Sequence, residues 1–203
     1  MTATGSGPIL LTERFRLTPC AEADVPRLHA LLTHPDVRRY LMDDRIVERE
    51  WVFDVVESSR KSFADASYGL WCIESRSDDA TRSSGFVGLA GLRVTAGADE
   101  PQLLYALDPA SWHRGAATEA SMAVLDYAFD ELGSTEMLAS TDPPNHASIR
   151  VMERLGMRFL EAARPGGLPI VFYRIDRAEW KKRRADLLAS SGRTGAASAG
   201  TAR

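Results

Sequence analysis

Apolar residues recur along the chain at two spacings, and each spacing predicts one kind of secondary structure. Residues 10–17 alternate apolar and polar side chains, the pattern of a strand with one buried face. Residues 21–32 and 47–64 place apolar side chains three and four positions apart, which predicts two amphipathic helices. His34 and Pro35 follow the first of them, and we expect the helix to break there. The chain therefore opens with one strand and two helices.

Three strand-like runs come next, over residues 68–75, 85–94 and 102–108. Turns rich in Asp, Ser and Gly separate them, so we expect hairpin connections and an antiparallel meander. The third run is apolar at all of positions 103–107, which is typical of a central strand covered on both faces.

Helices and strands alternate in the second half of the chain. Gly133 and Gly156 are natural left-handed caps for helix ends, and Asp142 or Asn145 can cap a helix start. The predicted elements are a helix over residues 114–132, a strand over 137–141, a helix that begins after the cap, and strands over 157–162 and 170–175. This order predicts an α/β (α+β) domain in which a mixed sheet carries helices on both faces.

The composition is that of one globular domain with a single core, since the 203 residues are 44% hydrophobic and 26% charged. Residues 1–8 and 189–203 consist mostly of small and polar types and are predicted to be disordered. The folded domain is therefore expected over residues 9–188.

Charge and cysteine content exclude several protein classes. A net charge of −3 argues against a general binder of nucleic acid or of anionic membranes, because those proteins carry a clustered surplus of Lys and Arg. No apolar run is long enough to cross a bilayer, and the opening residues lack a signal-peptide pattern. Cys20 and Cys72 lie far apart in the sequence and lack metal-ligand spacing, so neither a disulfide framework nor a metal site is predicted. We expect a cytoplasmic protein.

The most informative segment follows the predicted central strand, from Trp112 to Ala120. It places Gly115 and several small residues at a helix start, where unpaired N–H groups and the positive end of the helix dipole favour an anion. The segment predicts a phosphate cradle formed by His113, Arg114, Gly115, Ala116, Ala117 and Thr118. The alternative is an ordinary helix start whose alanines pack against a sheet.

A second segment, residues 145–157, follows at a specific separation. Together the two segments resemble the GNAT superfamily of acyl-CoA-dependent N-acetyltransferases. Residues 112–120 look like its Rim-type branch, which acetylates the N-terminal amines of ribosomal proteins and usually reads Trp-Gly-basic-Gly-aromatic-Ala-Thr-Glu-Ala. The resemblance covers residues 11 to about 177. It implies a mostly antiparallel seven-stranded sheet flanked by about four helices, with strands 4 and 5 splayed apart.

The resemblance implies acetyl-CoA as co-substrate, with its pyrophosphate held by residues 113–118. Ala106 and Leu107 would then face the pantetheine arm at the splay. Asn145 would contact a pantetheine amide, and Ser148 would lie near the thioester sulfur. Judged from the residues alone, Asn145 also fits a helix cap and Ser148 a space-filling residue of the first turn.

The implied reaction is direct attack of a neutral amine on the acetyl thioester, while a backbone N–H at the end of the central strand stabilises the carbonyl oxygen. Many family members carry a Tyr as the acid on the second helix, but Met152 occupies that position here, and Ser148 is the expected substitute. Relatives in the branch often have a Glu where this chain has Gln102. Glu100, Asp142 or a relaying water remain as candidates for the general base, although each carboxylate also fits a turn or cap.

The acceptor amine is expected beside residues 34–44, a loop that closes over the amine in the resembled branch. Tyr40, Trp51 and Trp71 are the candidate substrate-binding residues, and core packing is the alternative for each aromatic side chain.

Two features of the sequence bear on the acceptor's chemistry. Asp43 and Asp44 can attract a cation. A site without an assured base suits an α-amine of pKa ~7.7 to 8.0, which is about a fifth to a third neutral near pH 7.4, whereas a lysine of pKa ~10.4 is neutral about one part in a thousand.

Two classes of function remain open at this point. The first is an N-acetyltransferase acting on a peptide α-amine or a small-molecule amine. The second is a domain that binds acyl-CoA without turnover, as a sensor or partner module, and Gln102 and Met152 keep it open. A nucleotide-binding βαβ domain is disfavoured because no Gly-x-Gly-x-x-Gly run follows the first strand. Dimers are common in the resembled family, so a homodimer is also open.

Overall fold

The computed structural model describes residues 7–76, 85–94 and 100–195. Most of the turns predicted between the meander strands fall outside these ranges. The strands are β1 Leu10–Leu11, β2 Phe15–Pro19, β3 Leu70–Ser75, β4 Phe86–Val94, β5 Pro101–Leu107, β6 Glu136–Thr141, β7 Arg158–Ala163 and β8 Ile170–Asp176. The helices are α1 Val25–Thr33, α2 Pro35–Leu41, α3 Arg49–Ala66, α4 Ala116–Asp130, α5 His146–Arg154 and α6 Arg177–Gly195.

The strands form two hydrogen-bonded sheets. One has the order β1-β2-β3-β4-β5 and the other the order β6-β8-β7, and the pairs between described strands are antiparallel. β5 lies beside β6, but the two strands belong to different sheets. The predicted mixed α/β architecture is confirmed, and its splay falls between β5 and β6.

The described strands number eight instead of the predicted seven because the first predicted strand is a hairpin. β1 and β2 pair with Leu10 opposite Leu17. Thr12 closes the turn: its Oγ1 accepts from the Phe15 N–H at 2.9 Å, and its own N–H donates to the Phe15 carbonyl at 2.9 Å. A turn fixed by one side chain thus interrupts an alternation that continues on both sides of it.

Two apolar clusters cover the opposite faces of the first sheet. Leu103 and Leu107 belong to the cluster beneath α4 and α5, whereas Ala106 belongs to the cluster against α1 to α3. Burying one Leu side chain stabilises a fold by roughly 1.5–3 kcal/mol. β5 is therefore held between two layers of helices, and its predicted coverage on both faces is confirmed, but it is the end strand of its sheet and not a central one.

Helix α2 occupies most of the stretch that the sequence predicted as a loop over residues 34–44. His34 does end α1, but it also caps α2, because its Nδ1 accepts from the Asp36 N–H at 3.3 Å. Pro35 takes the first helical position, where a missing N–H costs nothing. The residues that break one helix therefore start the next.

Helix α6 extends beyond residue 188, where the domain was predicted to end, and runs to Gly195. Trp180 anchors it with 2% exposure, and its Nε1 donates to Asp126 Oδ1 at 3.0 Å. The ends predicted as disordered lie largely outside the described residues, namely 1–6 and 196–203. Within the described part of the chain, no helix combines the length and hydropathy needed to cross a membrane.

Candidate active site

The start of α4 has the geometry of an anion site. Gly115 precedes the helix with φ 74°, a conformation that favours glycine, and a Cβ added there would meet only Arg14 Nη2, at 3.6 Å. The Glu119 N–H donates to the Gly115 carbonyl at 3.0 Å. The N–H groups of Ala116 to Thr118 precede that bond, and an α-helix offers them no partner of its own. The predicted cradle thus has open backbone on its ligand side.

Thr118 provides a second observation at the same place. Its side chain is buried, with 7% exposure, and its Oγ1 has no hydrogen-bond partner within the described ranges. Ser121, one turn further along α4, also has an unpartnered hydroxyl. Buried hydroxyls are normally hydrogen-bonded, so these two residues mark a polar strip on the buried face of α4, and their oxygens are enclosed by the protein.

A network from the β1–β2 turn holds the cradle in place. The Glu119 carboxylate accepts from Thr12 Oγ1 at 2.6 Å and from Arg14 Nε at 2.6 Å. Arg14 Nη1 donates to the Arg114 carbonyl at 2.8 Å. Sequence reasoning missed this network because more than 100 positions separate Arg14 from Glu119 in the chain, and no local pattern links them.

The edge of β5 presents an N–H group to the opening between β5 and β6. The Asp108 N–H donates to the carbonyl of Val87, a residue of β4, at 2.9 Å. Because backbone directions alternate along a strand, the Leu107 N–H points the other way, toward β6. On that side, the Leu107 carbonyl accepts from Trp112 Nε1 at 2.8 Å. The side chains of Ala106 and Leu107 are buried, so it is backbone that faces the opening.

Asn145 and Ser148 lie together at the start of α5. Asn145 Oδ1 accepts from the Ser148 N–H at 3.2 Å, and its Nδ2 donates to Thr141 Oγ1 at 3.0 Å. Asn145 therefore acts as the helix cap that the residues alone allowed. This cap fixes Ser148 in the first turn.

Tyr105 contacts Ser148 from the β5 side. Its hydroxyl oxygen lies 2.8 Å from Ser148 Oγ, where either hydroxyl can be the donor, and 3.1 Å from the Ser148 carbonyl oxygen, to which the phenol can donate instead. Burial raises the pKa of Tyr105, against a smaller opposing effect of the Ser148 contact. Sequence reasoning counted Tyr105 among five apolar strand positions. The signal was its hydroxyl, which is the one polar group among the side chains of residues 103–107.

Two carboxylates, those of Asp142 and Asp43, interact electrostatically. Asp142 follows β6 and Asp43 follows α2; burial raises the pKa of Asp142, and the charge of Asp43 raises it further. Asp43 pairs with Arg45 at 3.2 Å, and Asp44 pairs with Arg38 at 3.2 Å. The predicted pair of acidic residues is thereby divided, and Asp43 is the one that acts on Asp142.

The three predicted acceptor aromatics do not come together. Trp71 has 0% exposure, and its Nε1 donates to the Pro8 carbonyl at 2.7 Å. It packs edge-on against Phe63 in the cluster beneath α4. The prediction that Trp71 binds the acceptor is corrected, because the side chain lies in the core on the sheet face opposite α1 and α2.

Trp51 and Tyr40 are half-buried and belong to the helices α3 and α2. The Arg93 guanidinium lies 5.7 Å from the Trp51 ring centroid, and the Arg39 guanidinium lies 5.4 Å from that of Tyr40. Burial lowers the pKa of Arg93. Trp51 and Tyr40 thus remain candidates for the acceptor side.

A family model described as "Acetyltransferase (GNAT) domain" matches residues 14–158. The chain belongs to the GNAT acetyltransferase family. GNAT proteins are enzymes, N-acetyltransferases whose acyl donor is acetyl-CoA, and this chain is one of them. The YkkB protein of Bacillus subtilis (strain 168), which is uncharacterized, is 32% identical over 169 residues that span 81% of this chain and 93% of YkkB.

Solved structures share the fold. An acetyltransferase from Agrobacterium tumefaciens str. C58 aligns with a TM-score of 0.72 at 24% identity, over 84% of this chain and 95% of that one. RimL, a ribosomal L7/L12 alpha-N-protein acetyltransferase solved in complex with coenzyme A, aligns with a TM-score of 0.69 at 14% identity, over 83% and 98%. Identities this low show the fold alone, so the Rim-type branch stays a prediction.

Two positions depart from the pattern expected of a GNAT enzyme. Met152 has 0% exposure and lies in the core, and Gln102 is buried with its Oε1 accepting from the Ser140 hydroxyl at 3.2 Å. Glu100 is exposed and precedes β5; five residues separate it from Tyr105, a backbone span of roughly 16 Å along a strand. The structure therefore does not bring Glu100 and Ser148 together.

Proposed function

We propose that this GNAT enzyme transfers the acetyl group of acetyl-CoA to a primary amine, preferably an α-amine, by direct attack of the amine on the thioester. One observation carries the proposal: the anion-binding start of α4, the Leu107 N–H and the Ser148 hydroxyl flank the same opening between β5 and β6. A thioester at that opening has an anion site for its coenzyme on one side and a hydroxyl donor on the other.

The residues that fit the coenzyme lie along one path. The N–H groups of Ala116 to Thr118 suit the pyrophosphate, as does the open side of Gly115. Asn145 Nδ2 has one N–H left after its bond to Thr141. That N–H and the backbone of Ala106 and Leu107 suit the amides of the pantetheine arm. Acetyl-CoA supplies the activated acetyl group, and coenzyme A bound by RimL is consistent with this use of the fold.

Two donors of the chain act on the developing negative charges. The Leu107 N–H stabilises the carbonyl oxygen when the amine nitrogen bonds to the carbonyl carbon, since a preorganised donor costs no reorganisation at that moment. The Ser148 hydroxyl donates a hydrogen bond to the sulfur as the C–S bond breaks. A thiol of pKa ~8.5 is a tolerable leaving group, so a neutral hydroxyl suffices there.

We assign the general base to Asp142 in place of Glu100. Asp142 lies at the end of β6, six residues before Ser148, and its raised pKa makes it a stronger base than an ordinary aspartate. Asp43 and Asp142 together also attract a protonated amine to the rim. The amine loses one proton to Asp142, directly or through water, and attacks as the neutral species; its second proton passes to water as the tetrahedral intermediate collapses to the amide and the thiolate.

The preference for an α-amine follows from how little the site does to remove a proton. Asp142 is only partly buried, and a carboxylate is a weak base for a lysine ammonium. An α-amine of pKa ~7.7 to 8.0 is already about a fifth to a third neutral near pH 7.4. The half-buried rings of Tyr40 and Trp51 offer apolar contact to the residues next to that amine.

The test is release of free thiol from acetyl-CoA by the purified protein, read with a thiol-reactive dye. The acceptors are peptides with a free N-terminus, the same peptides with a formylated N-terminus and an internal lysine, polyamines and aminoglycosides. We expect release with the free α-amine peptides and little with their formylated matches. If none of these acceptors causes thiol release while calorimetry shows that acetyl-CoA binds, the result would instead favour an acyl-CoA-binding module without turnover.

A further inference from the structure

The contact between Tyr105 and Ser148 joins the two halves of the fold at the opening. Tyr105 belongs to β5 in the first sheet, and Ser148 belongs to α5, which follows β6 of the second sheet. The two hydroxyl oxygens are 2.8 Å apart, a distance typical of an O–H···O hydrogen bond. The contact therefore holds a hydroxyl donor at the opening, where no backbone hydrogen bonds join the described strands β5 and β6.

The number of protons limits which hydrogen bonds the two hydroxyls can make at once. The Tyr105 phenol has one proton and two acceptors within reach, the carbonyl oxygen and the Oγ of Ser148. When that proton lies on the carbonyl, the Ser148 hydroxyl has to donate back to the phenol oxygen. When it lies on Oγ, the Ser148 proton is free to point into the opening. Ser148 is therefore an outward donor only while Tyr105 donates to it.

The chemistry of Tyr105 suits this task. Because burial raises its pKa, the phenol keeps its proton throughout the neutral range. It acts as a hydrogen-bond donor and does not release the proton. Two hydroxyls in series polarise each other, so the outer Ser148 proton becomes a stronger donor than that of an isolated serine.

We propose that Tyr105 is a positioning residue that orients the Ser148 hydroxyl toward the sulfur of the leaving thiol, an inference that rests on the proposed acetyl transfer. As the C–S bond breaks, its electron pair passes to sulfur. The sulfur accepts a hydrogen bond from Ser148 Oγ–H, and Oγ accepts one from Tyr105 O–H. No proton leaves either side chain, and the thiolate takes its proton from solvent after release.

The kinetic test is a double-mutant cycle of Tyr105→Phe and Ser148→Ala. Tyr105→Phe removes the hydroxyl and keeps the ring, and we expect kcat to fall about 3- to 10-fold, the effect of one hydrogen bond, with the KM for acetyl-CoA unchanged. In the Ser148→Ala background the same change should cost nothing further, because the group it acts through is gone. Equal losses in both backgrounds would overturn the proposal.

Tyr127→Phe is the matched control. The Tyr127 hydroxyl also donates to a backbone carbonyl, that of Ser67 at 2.6 Å, but it lies on α4 away from α5. Its loss should leave kcat unchanged. A similar fall in kcat for Tyr127→Phe and Tyr105→Phe would mean that any lost tyrosine hydroxyl disturbs the fold, and would assign Tyr105 a structural role.

A binding measurement separates this inference from the proposed function. Coenzyme A and its desulfo analogue differ only at the sulfur, so their affinity ratio, measured by calorimetry above pH 8.5, reports donation to the thiolate. We expect Tyr105→Phe and Ser148→Ala each to reduce the preference for coenzyme A about 3- to 10-fold. A reduced preference for coenzyme A in both variants, without amine-dependent turnover of the unmodified protein, would contradict the proposed acetyl transfer and support the role of Tyr105. An unchanged ratio would overturn the role of Tyr105 even in an active enzyme.

Discussion

Gly115 is the residue at which one added side chain acts most directly on coenzyme binding. Its φ of 74° and the open space beside it leave the backbone N–H groups accessible. Gly115→Glu places a carboxylate next to the phosphate site, and unit charges about 4 Å apart near a protein surface repel by about 4 kcal/mol. We expect calorimetry to show a loss of acetyl-CoA affinity of about 100-fold or more.

Gly166→Glu controls for the backbone strain and the added charge. Gly166 also has a positive φ, 63°, and a Cβ there would meet no atom within 4 Å, but it lies in the turn between β7 and β8. Binding should survive in this variant. If both variants bind as the unmodified protein does, α4 does not start at the phosphate site.

The charge of Asp43 adds to the effect of burial on the pKa of Asp142. Burial and then the Asp43 charge raise the pKa of Asp142, so its base function is lost as pH falls through that raised value. Asp43→Asn removes the charge and lowers the pKa of Asp142. We therefore expect the ratio of variant to wild-type kcat/KM to rise as pH falls through the raised pKa of Asp142, since taking the ratio cancels the titration of the acceptor.

Asp44→Asn is the comparison for that pH profile. Asp44 adjoins Asp43 and also has a positive φ, 59°, but its carboxylate pairs with Arg38. Its removal should leave the acid limb in place. A shift of equal size in both variants would mean that the net charge of the loop, and not the Asp43–Asp142 pair, sets the profile.

The chemistry of single residues could be read from the sequence only where it depends on near neighbours. Ser148 was predicted as a candidate because the resemblance places it near the thioester sulfur, and Asp142 was one of the candidates left for the general base. Tyr105 was missed because its function depends on a partner 43 positions away. The apolar run around it predicts a buried strand correctly and says nothing about which hydroxyl it meets.

At the scale of elements, the cradle depends on the β1–β2 turn. Arg14 holds both the Glu119 carboxylate and the Arg114 carbonyl of the cradle. Arg14→Gln should raise the KM for acetyl-CoA about 3- to 10-fold by loosening the start of α4. The stability change should stay under about 1 kcal/mol, because exposed ion pairs stabilise little.

Arg60→Gln removes a comparable ion pair elsewhere. Arg60 pairs with Glu57 at 2.5 Å on the surface of α3. Steady-state kinetics at varied acetyl-CoA should show no change in this variant. If Arg14→Gln leaves the KM for acetyl-CoA equally unchanged, the turn does not position the cradle.

Element boundaries were hardest to predict where one residue serves two elements. His34 and Pro35 end α1 and begin α2, so a break signal was also a start signal. Thr12 turns one alternating run into the hairpin β1–β2. The strands β3 to β5 and the helix α4 have long apolar patterns, and their predicted ranges agree closely with the structure.

At the scale of the whole molecule, the opening between β5 and β6, which the proposed coenzyme site uses, removes the backbone hydrogen bonds that would otherwise join the two halves of the fold. β5 and β6 belong to separate sheets, so no continuous backbone ladder joins the two halves. Side chains join them instead: the cluster beneath α4 and α5 contains Leu103 and Val87 of the first sheet together with Met137 and Ile175 of the second. The stability of the whole domain therefore depends on helix packing across the opening.

Trp180 tests that dependence. It has 2% exposure, stacks on Phe129 of α4 at 6.5 Å and donates to Asp126, so it ties α6, which follows β8, to a helix that packs on the first sheet. Trp180→Ala should lower the free energy of unfolding by about 3–5 kcal/mol in urea titrations followed by circular dichroism. Leu188→Ala on the same helix, at 56% exposure, should change it by less than about 0.5 kcal/mol.

The KM for acetyl-CoA of folded Trp180→Ala should not change, because Trp180 holds the end of α4 opposite the cradle. Equal, small losses in both variants would mean that the packing of α6 contributes nothing to joining the sheets.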